Sequence, residues 1–78
     1  MQTKFKRHQK VRLLKNPDPE YMEYHNELND EEQIPIIKGM IGEINLVLPT
    51  GDYHVKFKDE HGHNIAFVKM AEEDLEAA

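Results

Sequence analysis

The segment Tyr53-His54-Val55-Lys56-Phe57-Lys58 puts an apolar side chain at every second position. A strand with one face on a core and the other in water has this period, whereas a helix would scatter Tyr53, Val55 and Phe57 around its axis. The same reading extends to both sides. Lys10-Val11-Arg12-Leu13-Leu14 reads as a first strand with Val11 and Leu13 facing inward. Gly39 to Leu48 is the strongest strand, with Met40, Ile44, Leu46 and Leu48 on one face, and Asn64 to Met70 forms another. Pro49-Thr50-Gly51-Asp52 and Asp59-Glu60-His61-Gly62-His63 supply the turns between them, with positive φ expected at Gly51. Ala71 to Glu76 closes the pattern as a helical turn or short last strand that seats Leu75. The expected core is Val11, Leu13, Ile44, Leu46, Val55, Phe57, Val68 and Leu75.

Between the first two strands the period changes. Asn16-Pro17-Asp18-Pro19 stops the first strand, because two prolines cannot sit inside a sheet. Tyr21, Tyr24, His25 and Leu28 then fall at the i, i+3, i+4, i+7 positions of one helix face. Asp18 is a good N-cap and Pro19 suits the first helical position. Acids at Asp30, Glu31 and Glu32 oppose the dipole at a helix C-terminus, so a helix of two or three turns followed by an acidic loop is expected. Pro35 restricts the segment after Ile34 to a sheet edge or an approach to it. The architecture predicted is mainly β: one domain over 1–78, a small five-stranded, SH3-like, partly open barrel with a short helical insertion at about 16–36.

Composition agrees with a small core. The chain has 78 residues, 38% of them hydrophobic, and no cysteine, so stability rests on packing and hydrogen bonds. No apolar run approaches the ~20 residues of a membrane span, and the basic N-terminus is not followed by a signal-peptide core. A cytoplasmic address and no membrane partner are therefore expected. The net charge of −5 is unevenly distributed. Residues 1–15 carry six Lys/Arg and no acid, and residues 16–33 carry seven Asp/Glu and no base.

Four pieces of this pattern, Lys10-Val11-Arg12-Leu13-Leu14, Gly39-x-x-Gly42-x-Ile44, Tyr53-x-Val55-x-Phe57 and Asp74-Leu75-Glu76, resemble the bacterial SH3-like barrels. That group includes KOW-type domains associated with ribosomes and polymerases. The resemblance covers residues 8–15 and 38–76 and leaves out the insertion. It implies a binding module and carries over no functional residue.

Four candidate sites follow from the residues themselves. His61-Gly62-His63, with Asp59, Glu60 and His54 nearby, could ligate a metal, but a polar hairpin tip around Gly62 explains the same residues more simply. No metal and no cofactor is expected. Paired titratable groups for acid–base catalysis need an apolar pocket, and a barrel this small is filled by its own side chains. Thr3 and Thr50 lie in no nucleophile motif, and Gly39 and Gly42 open a strand, not a phosphate-binding helix. The chain is therefore read as non-enzymatic.

The basic arm, Lys4, Lys6, Arg7, Lys10, Arg12 and Lys15 with Phe5 and His8 between, could follow a phosphate backbone. Against this, pairing of the first strand with the last would place Lys10 and Arg12 beside Glu72, Glu73, Asp74 and Glu76. The insertion presents Glu20, Met22, Glu23, Glu27, Asp30, Glu31 and Glu32 as a concentrated acidic face, while its tyrosine stripe covers one end of the barrel. The function expected is thus a protein-interaction module, inhibitor- or antitoxin-like, that docks this face on a basic, nucleic-acid-handling partner. The alternative is a KOW-like RNA or ribosome contact through the basic arm, and a small metal-dependent enzyme comes third.

Overall fold

In the computed structural model, residues 4–24, 35–59 and 61–78 are described. They form six strands: β1 (Lys10–Leu13), β2 (Met22–Tyr24), β3 (Ile41–Val47), β4 (Tyr53–Lys58), β5 (Asn64–Met70) and β6 (Leu75–Ala77). All pairings are antiparallel, in one open sheet of order β2-β5-β4-β3-β1-β6. The mainly β class is as expected, but the strand number is six where the sequence suggested five.

The extra strand lies in the expected helical insertion. Asp18 does cap, accepting from the Glu20 amide, and Pro19–Tyr21 makes a single 3-10 turn. Met22 then returns to extended backbone and β2 pairs with β5, Met22 opposite Val68 and Tyr24 opposite Ala66. Among the described residues there is no α-helix. Alternation wins over the helical stripe because Met22 and Tyr24 both pack on the core from successive odd positions of a strand. Tyr21, placed on the buried stripe by the helical reading, is 50% exposed. His25 and Leu28 lie outside the described residues.

Register sorts the two faces of the sheet. One inward row runs Met22, Val68, Val55, Ile44, and the adjacent outward row runs Glu23, Phe67, Lys56, Glu43, Lys10. The core joins Val11, Leu13, Ile44, Tyr53, Val55, Phe57, Ile65, Ala66, Val68, Met70 and Leu75 with Phe5 and Ile36 from outside the strands. Seven of the eight expected core residues are in it. Leu46 is the exception, at 45% exposure. Ile44 pairs with Val55 and Leu46 with His54, so Asn45 is an extra residue on β3 and the bulge turns Leu46 to the outer face. Leu46→Thr is therefore expected to change unfolding free energy by no more than about 0.5 kcal/mol in a urea titration, as for an ordinary surface site.

The turns behave as their glycines require. Gly51 has φ of 90° and Gly62 of 83°, both left-handed. The C-terminal segment takes both forms expected of it, a 3-10 turn at Glu72–Asp74 and then β6, which seats the buried Leu75 opposite Leu13.

Candidate functional site

The N-terminal segment is anchored to the fold. Phe5 is fully buried, edge-on to Tyr53 with ring centroids 5.4 Å apart. The Phe5 amide donates to the Tyr53 hydroxyl at 3.2 Å, and that hydroxyl donates to Glu72 at 3.1 Å. His8 and Gln9 extend the β1–β3 pairing through backbone bonds to Ile44. Phe5 thus belongs to the core, and the basic residues around it, Lys4, Lys6 and Arg7, stand exposed on a fixed strap.

Beyond the strap, two of the three remaining cations of the basic stretch are neutralised within the fold. Arg12 meets Glu76 at 2.9 Å across the β1–β6 pair, and Lys15 meets Asp74 at 3.2 Å. The pairing of first and last strands expected from sequence has this consequence. Lys10 stays exposed and comes together with two lysines of β4 that the sequence analysis did not single out. Lys10, Lys56 and Lys58 line a surface depression of about 310 Å³ together with Ile41, Gly42 and Glu43. The signal was available: Lys56 and Lys58 share the outward parity of β4, and the β3–β4 and β1–β3 registers bring that parity beside Lys10.

Glu43 lies among these cations. Its carboxylate contacts His8 Nδ1 at 3.3 Å and Lys56 Nζ at 3.4 Å. The His8 hydrogen bond, aided by the charges of Lys56 and Lys58, holds its pKa below the ordinary glutamate value despite some burial. Three lysines against one carboxylate leave the lining of the depression with a net positive charge. On the same face, His54 stacks on Phe67 with centroids 5.1 Å apart, and its Nδ1 lies 2.9 Å from Asn45 Nδ2.

The described part of the acidic stretch, Asp18 to Glu23, leads into β2 at one edge of the sheet. Glu20 and Glu23 are exposed and engage no cation among the described residues, and Asp18 is used only as the cap. Tyr21 stands between them, with Lys69 Nζ 4.8 Å from its ring centroid. Met22, expected on the outward face, is half-buried against the core. Glu27, Asp30, Glu31 and Glu32 lie outside the described residues.

The histidine hairpin is organised by a carboxylate acting on backbone. Asp59 Oδ1 accepts from the amides of His61 and His63, both at 2.9 Å, and these bonds lower its pKa, the His63 bond most. The two imidazole rings are 6.4 Å apart. Among the described residues no group of three or more His, Asp or Glu side chains is placed to hold a metal ion, and no helix is long and apolar enough to cross a membrane. Comparison with known proteins finds no matching family model, no matching curated protein and no matching solved structure.

Proposed function

We propose that this chain is a non-enzymatic protein-interaction module on a six-stranded variant of the SH3-like barrel, acting in the cytoplasm as an inhibitor- or antitoxin-like protein. Its binding face is the acidic segment that begins with Glu20 and Glu23 at the β2 edge and continues in sequence to Glu32, and its partner presents a basic surface. The barrel reading is supported by the core. Leu13 and Leu75 at one end of the strand order share a single cluster with Val68 and Met22 at the other, as happens when a sheet curls over its own inner face.

One observation carries the choice of face. Most acids elsewhere on the described surface have an internal partner: Glu43 with His8 and Lys56, Asp52 with Lys69, Asp74 with Lys15 and Glu76 with Arg12. Among the described residues Glu20, Glu23 and Glu73 have none; Glu73 lies between acids engaged by Tyr53 and Lys15, whereas Glu20 and Glu23 open a run that continues in sequence through Glu27, Asp30, Glu31 and Glu32. Like charges concentrated in one segment are available for an external cation, and they act mainly on the encounter rate and on the rejection of wrong partners.

The test is kinetic. Replacing Glu20, Glu23, Glu27, Asp30, Glu31 and Glu32 with Gln is expected to leave the melting temperature unchanged or raised, because self-repulsion is relieved. Against a basic protein captured from the native host, the association rate at low salt should fall by about tenfold or more while dissociation changes less. Equal association rates for parent and variant would reduce the acidic edge to a solvated surface.

A further inference from the structure

The lysine-rimmed depression is not used by that reading, and its occupant follows from what its surface requires. Its lining offers one exposed apolar side chain, Ile41 at 50% exposure, among three lysines, of which Lys10 and Lys58 are exposed. Glu43, the one acid in it, is already engaged by Lys56 and His8. A complementary surface would have an apolar or aromatic centre with an anionic rim. This chain carries one. Tyr21, half exposed, stands between the uncompensated Glu20 and Glu23 at the β2 edge.

We propose that the depression between β1, β3 and β4 is a docking surface for the Glu20-Tyr21-Glu23 edge of a second copy of this chain. The proposal rests on the reading of that edge as a binding face and names a partner for it. Ion pairs on an open surface contribute little singly, so the Tyr21 ring against Ile41 is the necessary centre of the contact, with the lysines flanking the ring and meeting the two carboxylates. Edge and depression sit at different places in the strand order, so one copy cannot satisfy both through the same patch. A two-fold axis would form the contact twice and close a dimer. The net charge of −5 per copy opposes association when unscreened. The dimer should therefore be strongest near 100 mM salt, where the Debye length of about 10 Å mutes the net repulsion and spares direct contacts.

The experiment is a reciprocal charge swap read by sedimentation velocity over a concentration series. One variant carries Glu20→Lys and Glu23→Lys, the other Lys10→Glu and Lys58→Glu. All four positions are exposed, and circular dichroism checks that both variants fold. The parent is expected to dimerise weakly, and each variant alone should lose about tenfold or more in dimer affinity. Mixing the two should restore a heterodimer, since edge and depression are then of opposite sign in both contacts. Both variants remain net negative, so overall attraction could not produce that result. A Tyr21→Ala variant should weaken the dimer as much as either swap.

A parent that stays monomeric to about 1 mM at this salt would overturn the proposal. So would variants that dimerise like the parent, or a mixture that fails to recover. Single-stranded RNA shifted by the parent and released by Lys10→Glu plus Lys58→Glu, without self-association, would assign the depression to nucleic acid instead. A monomeric parent whose Gln variant still associates slowly with a captured basic partner would sink this inference and leave the functional reading intact.

Discussion

Phe5→Ala is expected to destabilise the protein by about 3–5 kcal/mol, the range for deleting a fully buried aromatic side chain. The residue stands only five positions from the N-terminus, among lysines and an arginine, where truncation would ordinarily be harmless. Its burial makes the difference. The ring fills space against Tyr53 that the strands leave open, and its backbone amide satisfies a hydroxyl that also binds Glu72. Losing the ring leaves a cavity and frees the strap, so the Tyr53 hydroxyl loses a partner as well. For a chain of 78 residues the total unfolding free energy is on the order of 4–12 kcal/mol, and the variant should be largely unfolded at moderate urea. Replacing Lys4, Lys6 and Arg7 together with Gln is the control and should shift the urea midpoint little. A Phe5→Ala midpoint equal to that of the control would mean that the strap is not part of the fold in solution.

Phe5 also shows why some of this fold could be read in the sequence and some could not. β4 was legible because six residues repeat one rule, and its register with β5 keeps Tyr53, Val55 and Phe57 buried. The β1–β6 pairing was expected from the resemblance to SH3-like barrels, in which the first strand pairs with the last, and Arg12 does meet Glu76. A lone aromatic residue in a charged arm has no period, so nothing distinguished Phe5 from a residue tracking a ligand. Leu46 was misplaced because Asn45 looks like an ordinary outward residue, and a bulge leaves no trace in an alternating pattern. β2 was missed because three residues are too few to establish alternation against a helical spacing with a correct cap. The candidate site divided in the same way. The concentration of acids in residues 16–33 is a matter of composition, whereas the meeting of Lys10 with Lys56 and Lys58 depends on strand order.

The largest loss expected from one added carbon is at Gly42. Its backbone is not in the left-handed region, so conformational freedom is not the reason for glycine there. Space is the reason. A Cβ built at Gly42 would lie 2.7 Å from Val55 Cγ1, 2.9 Å from the Lys56 carbonyl oxygen and 2.9 Å from Phe57 Cε1. The two side chains are fully buried and lack room to turn away, and the carbonyl is part of β4, which is paired with β3. An alanine must therefore push β3 and β4 apart at the centre of the sheet, and overpacking of this kind costs about 1–3 kcal/mol or more. Gly42→Val adds two methyl groups to the same contact and should abolish cooperative unfolding. Gly39→Ala separates this effect from a general sensitivity to losing glycine. Nothing lies within 4 Å of a Cβ there, and the substitution meets only the backbone strain of a φ of 93°, about 1 kcal/mol. Urea midpoints for the three variants should fall in the order Gly39→Ala, Gly42→Ala, Gly42→Val, from smallest loss to largest. If Gly42→Ala unfolds with Gly39→Ala or later, β3 and β4 are not as closely packed as the Val55 and Phe57 contacts require, and the inward row built on them is misplaced.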